Sequence, residues 1–323
     1  MPAPVGVLLI NLGTPDAPTP GAVRRYLAEF LSDPRVIEIP RLLWQPLLHG
    51  VVLRNRPAKA AHAYAAIWHE EGSPLAVHTQ RQAAALGQAL GRSVLVDHAM
   101  RYGTPAIGDR LAAMTAQGCD RILLAPLYPQ YSAATTATAV DKAFDTIRTM
   151  RAEPAIRTLP PYYADMAYIA ALQRSVIDAI EAQGFAPDAI VASYHGMPER
   201  TEALGDPYRR HCVETSRRLS AALGREVLVS FQSRFGRAKW FEPATDHLLS
   251  QLPARGFKRV MILSPGFAVD CIETLEEIDI RGRETFLAAG GEAFAYVPCL
   301  NAAPAGIEML ETLVRRELAG WLA

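Results

Sequence analysis

The stretch Gly91-Arg-Ser-Val-Leu-Val-Asp-His-Ala-Met-Arg-Tyr-Gly103 returns later in the chain as Gly224-Arg-Glu-Val-Leu-Val-Ser-Phe-Gln-Ser-Arg-Phe-Gly236, at a constant offset of 133 residues. Seven of the thirteen positions are identical. Beyond a five-residue addition in the second copy the match resumes at an offset of 138, pairing Thr104-Pro105-Ala106 with Glu242-Pro243-Ala244 and Gly118 with Gly256. The opening runs correspond as well, since Val7 to Gly13-Thr14-Pro15 resembles Ile190 to Gly196-Met197-Pro198 at an offset of 183. Self-similarity on this scale reads as one structural unit used twice, so the chain is a duplicated domain.

The type of unit follows from the pattern around the repeat. Val7 to Asn11, Ser93 to Asp97, Arg121 to Pro126, Ile190 to Tyr194, Val227 to Phe231 and Val260 to Leu263 are short aliphatic runs of the kind buried in a parallel sheet. Amphipathic helical stretches lie between them: Thr79 to Leu90, Ile107 to Gln117, Ala164 to Gln183 and Thr245 to Gln251. Strand and helix in alternation predict an α/β, doubly wound fold. The double proline in Leu159-Pro-Pro-Tyr162 blocks helix midway between the copies. It divides the chain into a first domain over 1–161, a second over 162–304 and a closing helix over 305–323.

The two offsets, 183 and 133, leave about 50 extra residues in the first half, within Asp16 to Pro74. This insert contains Leu42-Leu-Trp-Gln-Pro-Leu-Leu-His-Gly-Val-Val-Leu53, followed by Arg54, Arg56 and Lys59. One reading is an added core helix with a basic end. The other is an apolar lip that covers a flat hydrophobic ligand and touches membrane, with cations for carboxylates at its edge.

Composition narrows the partners. The chain has 323 residues, with 33 Lys+Arg against 33 Asp+Glu, so no cationic surplus exists to release counterions from nucleic acid. No apolar run reaches the ~18 residues that would span a bilayer, and no basic signal-like region precedes Val5. The expected address is the cytoplasm, with peripheral contact at the inner face of the membrane through the lip. Cys119, Cys212, Cys271 and Cys299 lie far apart and form no CxxC pair, which fits reduced, mostly buried thiols.

Ligands of doubly wound folds bind beyond the carboxyl ends of the strands. Ser193-Tyr-His-Gly-Met-Pro198 places His195 at such an end, in a turn bounded by Gly and Pro. The next such junction carries Ser264-Pro-Gly-Phe-Ala-Val-Asp-Cys-Ile-Glu-Thr-Leu-Glu-Glu-Ile-Asp279. A helix starting near Val269 would put Asp270, Glu273 and Glu277 at i, i+3 and i+7, on one face. Such a row is either a solvated acidic surface or, beside a histidine, a ligand path suited to Fe²⁺ or another divalent metal. The equivalent point of the first half, Pro126 to Thr138, carries aromatics and hydroxyls, which serve as helix caps and as an apolar, hydrogen-bonding wall. Neither GxxxxGK[ST] nor GxSxG occurs, and the strand ends lack GxGxxG, so nucleotide cradling and a hydrolase elbow have no support.

These residues resemble the ferrochelatase family. The similarity runs from Val7 to about Leu313 and is carried by Asn11-Leu-Gly-Thr-Pro15, Glu71-Gly-Ser-Pro74, Arg101-Tyr-Gly103, Tyr128-Pro-Gln-Tyr-Ser132, the His195 motif, Phe231-Gln-Ser-Arg-Phe-Gly236 and Pro265 to Glu277. The resemblance implies two similar Rossmann-like, chelatase-type domains with the porphyrin held in a cleft between them. It implies a lyase that inserts Fe²⁺ into protoporphyrin IX, with release of two protons, as the last step of haem biosynthesis. By the same resemblance His195 and Glu273 are the catalytic pair, and Asp270 and Glu277 join them in handling metal, with Glu276 nearby. A π-type widening is implied in the acid helix. Leu12, Tyr64, Arg101, Tyr128 and Ser132 would line the porphyrin pocket, and Arg54 or Arg56 with Ser73 would meet the propionates.

Fe²⁺ then counts as substrate, with no resident cofactor required. The cysteine-bound two-iron cluster of some members is not expected, because no cysteine follows Cys299. Cys271 stands where other members have histidine. The division of metal and proton roles between His195 and Glu273 stays open, as do a chelatase acting on coproporphyrin or another metal and a non-catalytic tetrapyrrole or metal carrier.

Overall fold

The structure is a computed structural model that describes residues 4–236 and 238–322. The chain divides into two compact units: Met1–Leu127 with Ser132–Pro160 and Leu310–Ala323, and Tyr128–Tyr131 with Pro161–Met309. In the first unit, β1 (Val5–Gly13), β2 (Val94–Tyr102), β3 (Arg121–Pro126) and β4 (Ala155–Thr158) form one parallel sheet in the order β2-β1-β3-β4. In the second, β5 (Ala189–His195), β6 (Val227–Gln232), β7 (Arg259–Leu263) and β8 (Ala293–Val297) repeat it as β6-β5-β7-β8. Aliphatic side chains without alternation fill the central strands because helices cover both faces: Val7, Leu8, Leu9 and Ile10 are fully buried, as are Ile190, Val191 and Ala192. The expected duplicated α/β class is what the topology shows.

The six expected strands are all present, five of them one to four residues longer than the apolar runs. Two of the four edge strands, β4 and β8, are not among the expected runs. Ala155-Ile-Arg-Thr158 is four residues long with a charge inside it, and neither edge strand carries the β-branched run that marked the others.

The repeat of sequence and the repeat of backbone differ by two residues. Val7 faces Leu123 on β3 and Ile190 faces Met261 on β7, in agreement with the offsets of 183 and 138. Across the other neighbour, Val7 faces Val96 whereas Ile190 faces Val227, so β2 and β6 correspond at 131 rather than 133. The loops agree with this count: the Met100 N–H donates to the Pro105 carbonyl and the Phe231 N–H to the Pro243 carbonyl. Five positions separate the first pair and twelve the second, so the second copy has gained seven residues, after β6. A slip of two keeps every side chain on its own face, which is why the sheet accommodates it. Arg101 and Arg234, identical in the repeat, are therefore not equivalent; the backbone counterpart of Arg101 is Gln232.

Each unit turns sharply where its first strand ends. Gly13 has φ of 111°, and a Cβ there would lie 1.8 Å from the Tyr102 carbonyl oxygen; a Cβ on Gly196 would lie 2.6 Å from the Gln232 carbonyl oxygen. No L side chain fits either place. Within the first unit the tail is tied down by Arg121, whose guanidinium donates to the Trp321 carbonyl at 2.7 Å, and by Arg157, which bonds the Ala319 carbonyl at 3.0 Å and lies over the Trp321 ring.

Gly13→Ala should therefore cost about 1–3 kcal/mol or more. In a chain of this size that lowers the calorimetric midpoint by roughly 2–4 °C per kcal/mol. Gly21→Ala, at a helical position with nothing within 4 Å, is the control and should be neutral or stabilising. Equal midpoints for the two variants would disprove the steric account.

Candidate active site

His195 is the last residue of β5 and is half-buried. Its Nδ1 lies 2.7 Å from the Gly196 carbonyl oxygen, which can only accept, so Nδ1 carries the proton in the neutral ring. Nε2 is left with a free lone pair. Gly196 is fixed in turn, its N–H donating to the Gln232 carbonyl at 2.7 Å.

Gln232, paired with His195 across the sheet and 2% exposed, joins this strand end to the acid helix. Its Nε2 donates to the Glu273 carbonyl at 2.7 Å, while its Oε1 accepts from the Ser193 hydroxyl at 2.6 Å. Ser193, Thr245 and Ser230 form a buried hydroxyl chain beneath it. A buried amide with both ends satisfied has one orientation, and it holds the Glu273 backbone at a set height beside β5. Gln232 lies in the Phe231-Gln-Ser-Arg-Phe-Gly236 motif but is not among the expected site residues. The signal that would have found it is its place at a strand's carboxyl end.

The acid helix starts later than expected, and this removes Asp270 from it. The first helical turn is Ile272–Thr274, with Cys271 as its cap, and Leu275–Gly282 continues as a π-helix. Bonding from i to i+5 widens that turn, a distortion enriched at functional sites. Asp270 sits ahead of the helix, 5% exposed. It accepts from the Tyr296 hydroxyl (2.6 Å), the Asn301 amide (2.6 Å) and the Thr274 hydroxyl (3.1 Å). Its oxygens are spent inside the fold. Glu273, Glu276 and Glu277 are half-buried on the helix; Glu276 pairs with Arg281 at 3.0 Å, and Glu277 accepts from the Ser233 N–H at 2.7 Å and hydroxyl at 2.5 Å. Ser233 adopts φ of 63°, rare for a side chain other than glycine, and opens the loop of seven added residues. This loop lines a cavity of about 460 Å³ with Gln232, Trp240 and Glu277. Among the described residues no three His, Cys, Asp or Glu side chains form a metal-holding group, so the four expected metal residues are not assembled as one set. Burial raises the thiol pKa of Cys271 well above its ordinary value, with the nearby Glu273 charge adding to it.

Tyr128 belongs to the second unit although it follows β3. The Tyr128–Tyr131 segment is held there by Gln130, whose amide donates to the Thr215 hydroxyl at 3.0 Å, and by the Tyr131 N–H, which donates to His211 Nδ1 at 3.2 Å. His211 stacks on Tyr163 with ring centres 3.7 Å apart.

The remaining expected pocket residues lie in the first unit. Leu12 is half-buried near the end of β1, and Tyr64 is buried. Ser73 is also buried, its hydroxyl accepting from Thr14 at 2.8 Å, and Ser132 caps the helix that follows it. Arg54 and Arg56 are exposed on the helix Leu53–Ile67. Arg101 is engaged with Asp33 and Thr138. Burial alone would raise the Asp33 pKa, but hydrogen bonds from Thr138, the Arg35 N–H and Tyr102, with the Arg101 charge, outweigh it and hold the carboxyl below its ordinary range. In the lip, Leu42 is 90% and Leu43 71% exposed, while Trp44 packs inward on Leu31, Leu48 and Leu53.

The ferrochelatase family model matches residues 4–318. The chain is 52% identical to the ferrochelatase of Bordetella pertussis over 99% of its own length and 90% of that protein. It is 49% identical to the ferrochelatase of Mesorhizobium japonicum over 98% and 92%. Among solved structures, SirB from Bacillus subtilis with Fe3+ superposes with a TM-score of 0.58 at 18% identity, covering 77% of this chain and 93% of that one. The sirohydrochlorin chelatase SirB from Bacillus subtilis subspecies spizizenii, in complex with cobalt, gives 0.58 at 12% identity over 99% and 98%. These two speak for the fold. The chain belongs to the ferrochelatase family.

Two measurements check the electrostatics. NMR of the imidazole nitrogens should find neutral His195 protonated at Nδ1; a protonated Nε2 in the neutral ring would reverse the tautomer. The stability that Asp33 contributes is complete above the unfolded carboxylate pKa of about 3.9 and is lost as pH falls through its lower folded value. Urea midpoints taken from pH 5 downward should therefore decline less steeply in Asp33→Asn than in the parent chain.

Proposed function

We propose that the protein inserts Fe²⁺ into protoporphyrin IX, forming protohaem and releasing two protons. The observation that carries this reading is the pair tied together at one strand end: a histidine whose Nδ1 is bonded, which leaves Nε2 to accept, and a glutamate whose backbone is bonded to the neighbouring strand. Family membership supplies the reaction class.

A free porphyrin is planar and points two N–H groups inward. Metal entry requires the ring to bend until nitrogen lone pairs face outward. Strain of about 1–5 kcal/mol can be drawn from contacts away from the reacting centre, here apolar walls and anchored propionates. His195 accepts a pyrrole proton at Nε2, the nitrogen that its Nδ1 bond to the Gly196 carbonyl leaves unprotonated in the neutral ring. Assistance of this kind is worth ~10² to 10⁴ in rate. Glu273 takes up the second proton or meets the incoming metal, and Glu277 and Glu276 continue the anionic path along the wide helix. Asp270 acts behind them as a brace, since its oxygens are already bonded. Leu12, Tyr64 and Tyr128 serve as apolar wall, and Arg54 or Arg56 meets the propionates.

The lip suggests where the chain works. No described helix is long and apolar enough to cross a membrane. Exposed Leu42, Leu43, Leu47 and Val51 beside Arg54 and Arg56 support peripheral contact at the cytoplasmic face, where an apolar substrate partitions. Sedimentation with anionic vesicles that is unchanged by Leu42→Ser with Leu43→Ser would remove that contact.

An anaerobic assay with Fe²⁺ and either protoporphyrin or coproporphyrin, read by absorbance, tests the main reading. Insertion should be fastest into protoporphyrin and be lost in His195→Ala and in Glu273→Gln, with both variants folded. Near-normal turnover in either variant rejects that residue's role. Haem bound tightly but never formed makes the protein a carrier.

A further inference from the structure

Arg101 was expected at the porphyrin, yet its guanidinium is committed elsewhere. Nε donates to the Thr138 carbonyl at 3.0 Å and hydroxyl at 2.7 Å, and Nη2 pairs with Asp33. Asp33, 6% exposed, also accepts from the Tyr102 hydroxyl (2.8 Å), from Thr138 and from the Arg35 N–H (2.7 Å). Tyr102 and Arg101 end β2, so this one carboxylate is bound to the strand end on one side. On the other it belongs to the root of the lip. The carbonyl of Leu31 accepts from the Trp44 indole at 2.6 Å, the Ser32 hydroxyl from Gln45 at 3.3 Å, and the Asp33 carbonyl from the Val36 and Ile37 N–H groups. Trp44 and Gln45 lie on the lip helix Arg41–Leu47, and Leu31 shares a small core with Leu48 and Leu53. The lip is thus hung from the sheet through three consecutive residues, of which Asp33 makes the buried charged bond; the exposed Arg35–Asp141 pair lies two residues further on.

We propose that Asp33 is the positioning residue of the lip, setting the presentation of its apolar and cationic face to the tetrapyrrole, and so governs tetrapyrrole binding rather than metal insertion. This rests on the ferrochelatase reading above. A charged residue at the root suits the task because a buried carboxylate with four donors has a single arrangement, whereas the lip's outward leucines have no packing of their own to fix them. Arg101 then acts on the ring through Asp33 and the lip.

The test is fluorescence quenching of protoporphyrin IX by the full chain, with anaerobic kinetics alongside. Asp33→Asn, which keeps the shape and removes the charge, should raise the porphyrin Kd and KM about tenfold, the scale expected when a fixed surface becomes one of several conformers. The kcat and the KM for Fe²⁺ should stay within twofold. Trp44→Phe, which keeps the packing and removes the indole donor, should shift Kd in the same direction by less. A folded Asp33→Asn with unchanged Kd, or one that loses kcat in the same proportion, overturns the proposal. If Asp33→Asn does not fold, Trp44→Phe decides alone, and an unchanged Kd there overturns it. A parent chain that binds porphyrin without turnover sinks the enzyme reading while leaving the Kd comparison intact.

Discussion

The second unit depends on one buried amide. Gln232 receives a hydroxyl on its oxygen and gives its N–H to the backbone of Glu273, so the strand that ends in His195 and the helix that carries the acids share a fixed point. A charged group there would need a buried partner, and an apolar one would take from the Glu273 carbonyl the amide that bonds it and from the Ser193 hydroxyl one of its two side-chain partners. Glutamine can satisfy both with a neutral side chain. The π-helix can widen over Leu275–Gly282 because its first turn is already held from the strand side and its cap is braced by Asp270.

Much of this was legible in the sequence because the sheet is parallel and buried on both faces. Such strands must be continuously apolar, and the six inner or well-populated strands announced themselves that way. Of the four edge strands, β4 and β8 did not: Ala155–Thr158 is four residues long with Arg157 within it, and Ala293–Val297 carries no β-branched run. His195 was legible from its position after a run of buried residues beside Gly196. Spacing alone carries Asp270 onto the acid helix only if the helix starts at Val269, whereas the cap at Cys271 starts it three residues later. Arg101 illustrates a different limit: nothing in Arg-Tyr-Gly indicates that the guanidinium finds Asp33, 68 positions away, before it finds a ligand.

The lip shows how an apolar exposed surface can be held without a large core. Leu31, Leu48 and Leu53 form its small core, and the hydrogen bonds from Trp44 and Gln45 and the ion pair at Asp33 add directed bonds that fix its placement. The zero net charge of the chain hides this division of labour, with cations gathered on Leu53–Ile67 and acids on the wide helix.

The two-residue slip between β2 and β6 has a further consequence for ancestry. A slip of two leaves every β6 side chain on its own face, so one copy could lengthen the following loop by seven residues while the other acquired a lip, and neither change disturbed the shared topology. A homodimer built from a half-length ancestor would necessarily present two lips or two acid loops. Joining the halves in one chain is what permits one of each, an asymmetry that two identical subunits cannot have.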